Sequence, residues 1–182
     1  MKARLLTFCF PAVALAYLTD MSVAIAAEKD SGTSAPKFSS ADETFMMSAA
    51  QAGMAEVKLG ELAAKKATQE DIKQFGATMV SDHSKANQEL QAIATKNGAT
   101  LPSKLDESHN SKVDKMSKLS GEQFDKAYVA EMVTDHEKVA AEFEKASKTA
   151  QNPELKSFAA TTLPVIKTHL KHIKAIAAGK SS

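Results

Sequence analysis

The sequence predicts an all-α protein, a bundle of four long helices with a long crossover between the second and the third. Three observations carry that expectation. Apolar residues recur at i, i+3/i+4 spacing through four long segments. Alanine, lysine and glutamate dominate a composition that is 43% hydrophobic and 25% charged and lacks tryptophan, which favours helix over sheet. A pattern is also used twice: Met79-Val80-x-Asp82-His83-x-Lys85 with Glu89-Leu90 beyond it recurs as Met132-Val133-x-Asp135-His136-x-Lys138 with Glu142-Phe143. The repeat sets an imidazole at matching points on two helices.

At 182 residues the chain fits one domain. Lys2 and Arg4, the apolar run Leu5 to Leu18 and the small-x-small site Ala24-Ile25-Ala26 read as a cleaved secretory signal over residues 1–26, since the run is short for a membrane span. The only cysteine, Cys9, lies in this signal, so the mature chain would have neither disulfide nor thiol chemistry. Without the signal, basic and acidic residues balance, and charge implies no nucleic-acid partner. Residues 27–40 are small and polar and read as a flexible leader, followed by a bundle domain over 41–178 and a short tail, 179–182.

Ser40 or Asp42 is expected to cap a first helix running to about Ala67, with Phe45, Ala49, Ala52, Leu59 and Ala63 as its stripe and Glu56 in its middle. Thr68, followed by Glu70 and Asp71, is expected to cap a second helix that ends near Asn97 with Gly98 as a left-handed cap. Its stripe is Ile72, Phe75, Met79, His83, Ala86, Leu90 and Ile93. Residues 99–119 are long enough to return along the bundle and hold a short amphipathic piece around Val113, Met116 and Leu119. Ser120-Gly121-Glu122-Gln123 predicts a capping box at the start of the third helix, which runs to about Ala150. Asn152-Pro153-Glu154 opens the fourth, whose stripe is Leu155, Phe158, Leu163, Val165, Ile166, His169, Ile173 and Ile176, and Pro164 should kink or break it.

Four motifs then carry a resemblance: Ala55-Glu56-Val57-x-Leu59-Gly60, Met79-Val80-x-Asp82-His83-x-Lys85-x-Asn87-x-x-Leu90, Phe124-Asp125-x-x-Tyr128-x-x-x-Met132-Val133-x-Asp135-His136, and Leu163-Pro164-x-Ile166-x-x-His169-Leu170. Over roughly residues 41–178 the chain resembles the bacterial exported family catalogued as domain of unknown function 4142. The resemblance implies a ferritin-like helical bundle, often labelled an outer membrane protein, and supplies no established activity.

Each long helix carries one ligand-type residue at the centre of its apolar stripe: Glu56, His83, His136 and His169. Polar groups in a core need partners, and the nearest candidates are one another. Three imidazoles and a carboxylate suit a single transition-metal ion such as zinc, copper, iron or manganese. A di-iron centre is disfavoured, because Val80, Val133 and Ile166 stand three residues before the histidines where bridging glutamates would be needed. Asp82 and Asp135 are rotated about 100° from their histidines and are expected at the bundle edge, where they can cap, pair with Lys85 and Lys138, or orient a neighbouring helix. His172 and His109 are expected in solvent, and the methionines as core filling.

No serine elbow, reactive cysteine or glycine-rich phosphate loop is present. The sequence therefore leans toward a non-enzymatic periplasmic or cell-envelope bundle with a central Glu/His layer that is structural or holds one transition-metal ion. Two alternatives stay open: a metal-dependent redox or oxygen-handling enzyme of ferritin-like type, and an envelope adaptor that binds another protein. The oligomeric state is left open, and the alternating strands of an outer-membrane barrel are missing.

Overall fold

The computed structural model describes residues 38–180; the expected signal and nearly all of the expected leader lie outside that range. Five helices follow in order, α1 (Ser40–Lys66), α2 (Glu70–Lys96), α3 (Glu107–Ser117), α4 (Gly121–Thr149) and α5 (Pro153–Ala177). The four long ones form the ferritin-like bundle, and α3 is the short amphipathic piece of the crossover. Among the described residues no helix is long and apolar enough to cross a membrane.

Helices α1 and α2 form one hairpin and α4 and α5 the other; α1 also packs on α4 and α2 on α5. Polar contacts at the ends fix the directions. The Asp42 carboxylate at the start of α1 accepts from Gln151 N and Asn152 N, just beyond the end of α4. Asp125 near the start of α4 accepts from the backbone N–H groups of Thr68 and Gln69 and from the Thr68 hydroxyl, just beyond the end of α1. Glu154 at the start of α5 meets Lys96 and Asn97 at the end of α2. Neighbouring helices are thus antiparallel, so the diagonal pair α2 and α4 runs parallel. A parallel pair joined in sequence needs a connection that returns the length of the bundle, and residues 97–120 supply it. The segment is tied to α1 by Gln51, which donates to Lys104 O and accepts from Asp106 N, and by Lys66, which donates to Ser117 O.

Several start signals resolve differently from the sequence expectation. The cap of α1 is Ser39, one residue early, in a reciprocal capping box with Asp42. Thr68 does not cap α2; Gln69 holds the cap position without a side-chain bond, and Thr68 and Gln69 instead donate their backbone N–H groups to Asp125 from α4. Ser120 makes no side-chain cap bond, because the next residue, Gly121, has a left-handed φ of 60° and turns the chain away from capping-box geometry. Gly98, at φ 77°, closes α2 as expected, with Ala99 N donating back to Ala94 O. Pro164 does not break α5: it and Ala160 are both exposed, so water can reach the carbonyl that loses its helical donor. Val165, placed on the apolar stripe, is 41% exposed.

The core is divided. One apolar cluster joins Met46, Leu90, Phe143, Phe158 and Ile166 toward one end of the bundle, and a second joins Leu59, Phe75, Met79, Tyr128, Met132 and Ile173 toward the other. Each draws on all four long helices. Between them, at mid-height, lie the polar side chains of the next section.

The candidate site, a histidine layer at mid-bundle

The structure brings His83 of α2, His136 of α4 and His169 of α5 together. Their ring centroids are 5.8, 5.6 and 5.7 Å apart pairwise. One ring nitrogen from each lies within 4.8 Å of the others. A point within about 2.8 Å of three atoms so spaced always exists, so small side-chain movements would reach the metal–nitrogen bonds of about 2.0–2.1 Å typical of zinc.

The local sequence explains the convergence. His83 follows Phe75 and Met79 on the inner face of α2, His136 follows Tyr128 and Met132 on α4, and His169 lies between Ile166 and Ile173 on α5. The hydrophobic residues that bury each helix carry its imidazole inward with them. On one side the rings rest on Phe75, whose ring stands edge-on to His136 and His169, 6.3 Å from each.

Hydrogen bonds outside the layer orient two of the rings. His136 Nδ1 donates to Met132 O at 2.9 Å, one turn back on its own helix. His169 Nε2 donates to Asp82 Oδ2 at 2.9 Å, across to α2. Each bond puts the proton on the outward nitrogen and leaves the lone pair on the inward one, as partners behind metal-bound histidines do. The inward atoms His136 Nε2 and His169 Nδ1, with His83 Nε2, are buried and have no hydrogen-bond partner.

Burial keeps all three rings neutral. It pulls His83 down to about 3, helped by the charge His136 and His169 would carry, and His136 down to about 4 against the hydrogen bond to Met132 O. His169 is also lowered by burial, which Asp82 partly offsets. A neutral imidazole is the form that offers a lone pair.

Glu56 of α1 belongs to the same layer but stands apart from the cluster. Its Oε1 is 3.9 Å from His136 Nδ1, the outward nitrogen, and its buried Oε2 has no partner. Burial, then the Asp135 carboxylate, pushes its pKa up to about 8 although Lys112 pulls the other way. The two aspartates beside the repeated histidines have separate uses. Asp82 orients His169 as above, while Asp135 binds Lys112 of α3 at 2.6 Å rather than Lys138, which lies 4.0 Å from Glu142. His172 is half-buried with its ring 5.4 Å from Phe75, and His109 pairs with Asp106 on α3.

Tyr128 and Asn87 stand in the sequence motifs, but their surroundings could not be read from it. The Tyr128 hydroxyl is buried without a partner below Phe75. Asn87, one turn beyond His83, packs its carboxamide against Gly53, where a Cβ would come within 2.0 Å of Asn87 Oδ1. Both depend on which helix lies opposite, which periodicity does not encode.

Fold and layer together define a class: a ferritin-like four-helix bundle with a three-histidine cluster at its centre. Residues 27–176 match the family described as domain of unknown function (DUF4142), and the chain belongs to that family. It is similar to the crystal structure of a DUF305 fragment from Deinococcus radiodurans, with a TM-score of 0.67 and 13% identity over 76% of this chain and 96% of that one. At that identity the likeness is one of fold. No curated protein matches the chain.

Proposed function

We propose that this is an exported cell-envelope bundle whose central layer holds one first-row transition-metal ion through His83, His136 and His169, with Glu56 beside it. The observation that carries the reading is that three imidazoles from three helices converge to within ligand spacing, each with a buried nitrogen that has no hydrogen-bond partner. A purely structural layer would pair such atoms, because each buried polar group left unsatisfied costs about 1–3 kcal/mol. One divalent ion would satisfy all three, and its charge would favour the ionised form of Glu56. Three neutral imidazoles suit zinc, copper or iron. Export rests on the Lys2/Arg4 start, the Leu5–Leu18 run and the Ala24-Ile25-Ala26 site, and predicts a mature chain beginning at Ala27.

A structural layer is the second reading, favoured by a cavity of about 20 Å³ beside the histidines, enough for roughly one water that could bridge them. The test is elemental analysis of the mature protein, purified from periplasm without chelator or histidine tag, beside a His83→Ala/His136→Ala variant, with N-terminal sequencing of both. Near-stoichiometric metal in the wild type and its loss from the still-folded variant are expected. A wild type that stays metal-free after incubation with each candidate ion would leave the layer structural, and recovery only from the cytoplasm would remove the export reading.

A further inference from the structure

The cavity lies on the side of the layer opposite Phe75, toward the Phe143 and Phe158 cluster. His83, His136 and Glu56 form its polar wall. Ala52, one turn before Glu56 on α1, and Ala86, one turn beyond His83 on α2, are small lining residues beside the larger Leu90, Val139, Phe143 and Phe158, while Gly53 makes room for the Asn87 carboxamide. Asn87 and Thr162 add the remaining polar groups.

Three imidazoles leave at least one position of a four- or five-coordinate ion unfilled. Glu56 is poorly placed to take it, because its carboxylate lies against the outward edge of His136 rather than beside the inward nitrogen. An ion between the inward nitrogens of His83 and His136 would border the cavity that both residues line.

Building on the metal site proposed above, we infer that the ion keeps one coordination position open toward this cavity and that the position takes a small exogenous ligand, water at rest and a neutral diatomic in exchange. The volume of about 20 Å³ holds about one water-sized atom, so with the first atom at the coordination position it admits the second atom of a diatomic. The largely apolar wall suits a neutral diatomic, which loses little hydration on entering.

The probe is nitric oxide on the mature protein loaded anaerobically with iron(II), followed by the electron paramagnetic resonance and visible absorption of an iron–nitrosyl. One nitrosyl per bound iron is expected in the wild type. In Ala52→Val and Ala86→Val, which narrow the cavity from two different helices, iron should be retained while nitric oxide binds about tenfold or more weakly, the effect of excess bulk in a tight pocket. Two substitutions guard against one that misfolds, and iron content reports on the fold of each. Iron bound without a nitrosyl in the wild type overturns the inference and leaves the metal site standing. Undiminished nitrosyl formation in both iron-bearing variants overturns it too. Failure to retain iron overturns it as stated, and the elemental analysis of the protein as isolated then decides whether the metal reading falls with it.

Discussion

Glu56 and the histidines pull the stability of the metal-free protein in opposite directions. His83 and His136 have folded pKa values near 3 and 4 against an ordinary 6.5, so the unfolded chain binds more protons in between. Their contribution is complete above about pH 6.5 and is lost as pH falls below it. Glu56 has a folded value near 8 against 4.5, so its contribution is complete below about pH 4.5 and is lost as pH rises toward 8. Between pH 6.5 and 8 the Glu56 effect is unopposed by the histidines, with a slope of up to about 1.4 kcal/mol per pH unit. Urea denaturation of the metal-stripped protein across pH 5 to 9 should show stability declining on the alkaline side, and Glu56→Gln should flatten that limb and steepen the acid limb, where Glu56 opposes the histidines. An unchanged alkaline limb in the variant would assign it to another group.

At the scale of the helices, the caps are exchanged between hairpins. Asp42 of α1 serves the turn before α5, and Asp125 of α4 serves the turn before α2, each as a buried carboxylate accepting backbone N–H groups. Removing Asp125 leaves the Thr68 and Gln69 donors without their acceptor, and Asp125→Ala should lower stability by about 1–3 kcal/mol in a thermal melt. Thr68→Val, which removes only the hydroxyl bond, should cost less. Equal losses would mean that the hydroxyl, not the backbone cap, carries the effect. The same helices approach closely where α1 meets α2: a Cβ on Gly60 would lie 2.7 Å from Gly76 O, and one on Gly76 would lie 2.7 Å from Ala63 Cβ. These glycines set how near Glu56 and His83 come to one another.

For the whole molecule, the two apolar clusters meet at the histidine layer, and each takes side chains from all four long helices. Neither hairpin contains a complete core, so unfolding should be a single transition. On the proposed reading, an ion bound only by the folded state stabilises it by about 2.7 kcal/mol at a free concentration of 100 times the dissociation constant. For a domain of this size that raises the melting temperature by roughly 5–10 °C. Differential scanning calorimetry with and without the ion identified by elemental analysis checks this, and His169→Ala should abolish the shift. A shift that survives in the variant would place the ion elsewhere.

The existence of four long helices, the crossover and the presence of one ligand-type residue at the centre of each stripe were legible in the sequence. They follow from local physics: 3.6-residue periodicity, Asn152-Pro153 as a start signal, Gly98 as a left-handed stop. The repeated Asp-His pattern likewise marked His83 and His136 before any coordinates. Tertiary structure decided what these residues do to one another. Sequence spacing gives a residue's height and face on its own helix, but not which helix stands opposite or how near it comes. Hence Thr68, read as a cap, donates instead to Asp125, 57 positions away, and Asp82 and Asp135, alike in sequence, hold a histidine and a lysine respectively. Glu56, one of four apparent equals along the stripes, stands beside the cluster because only the three imidazoles come within ligand spacing where the helices pack.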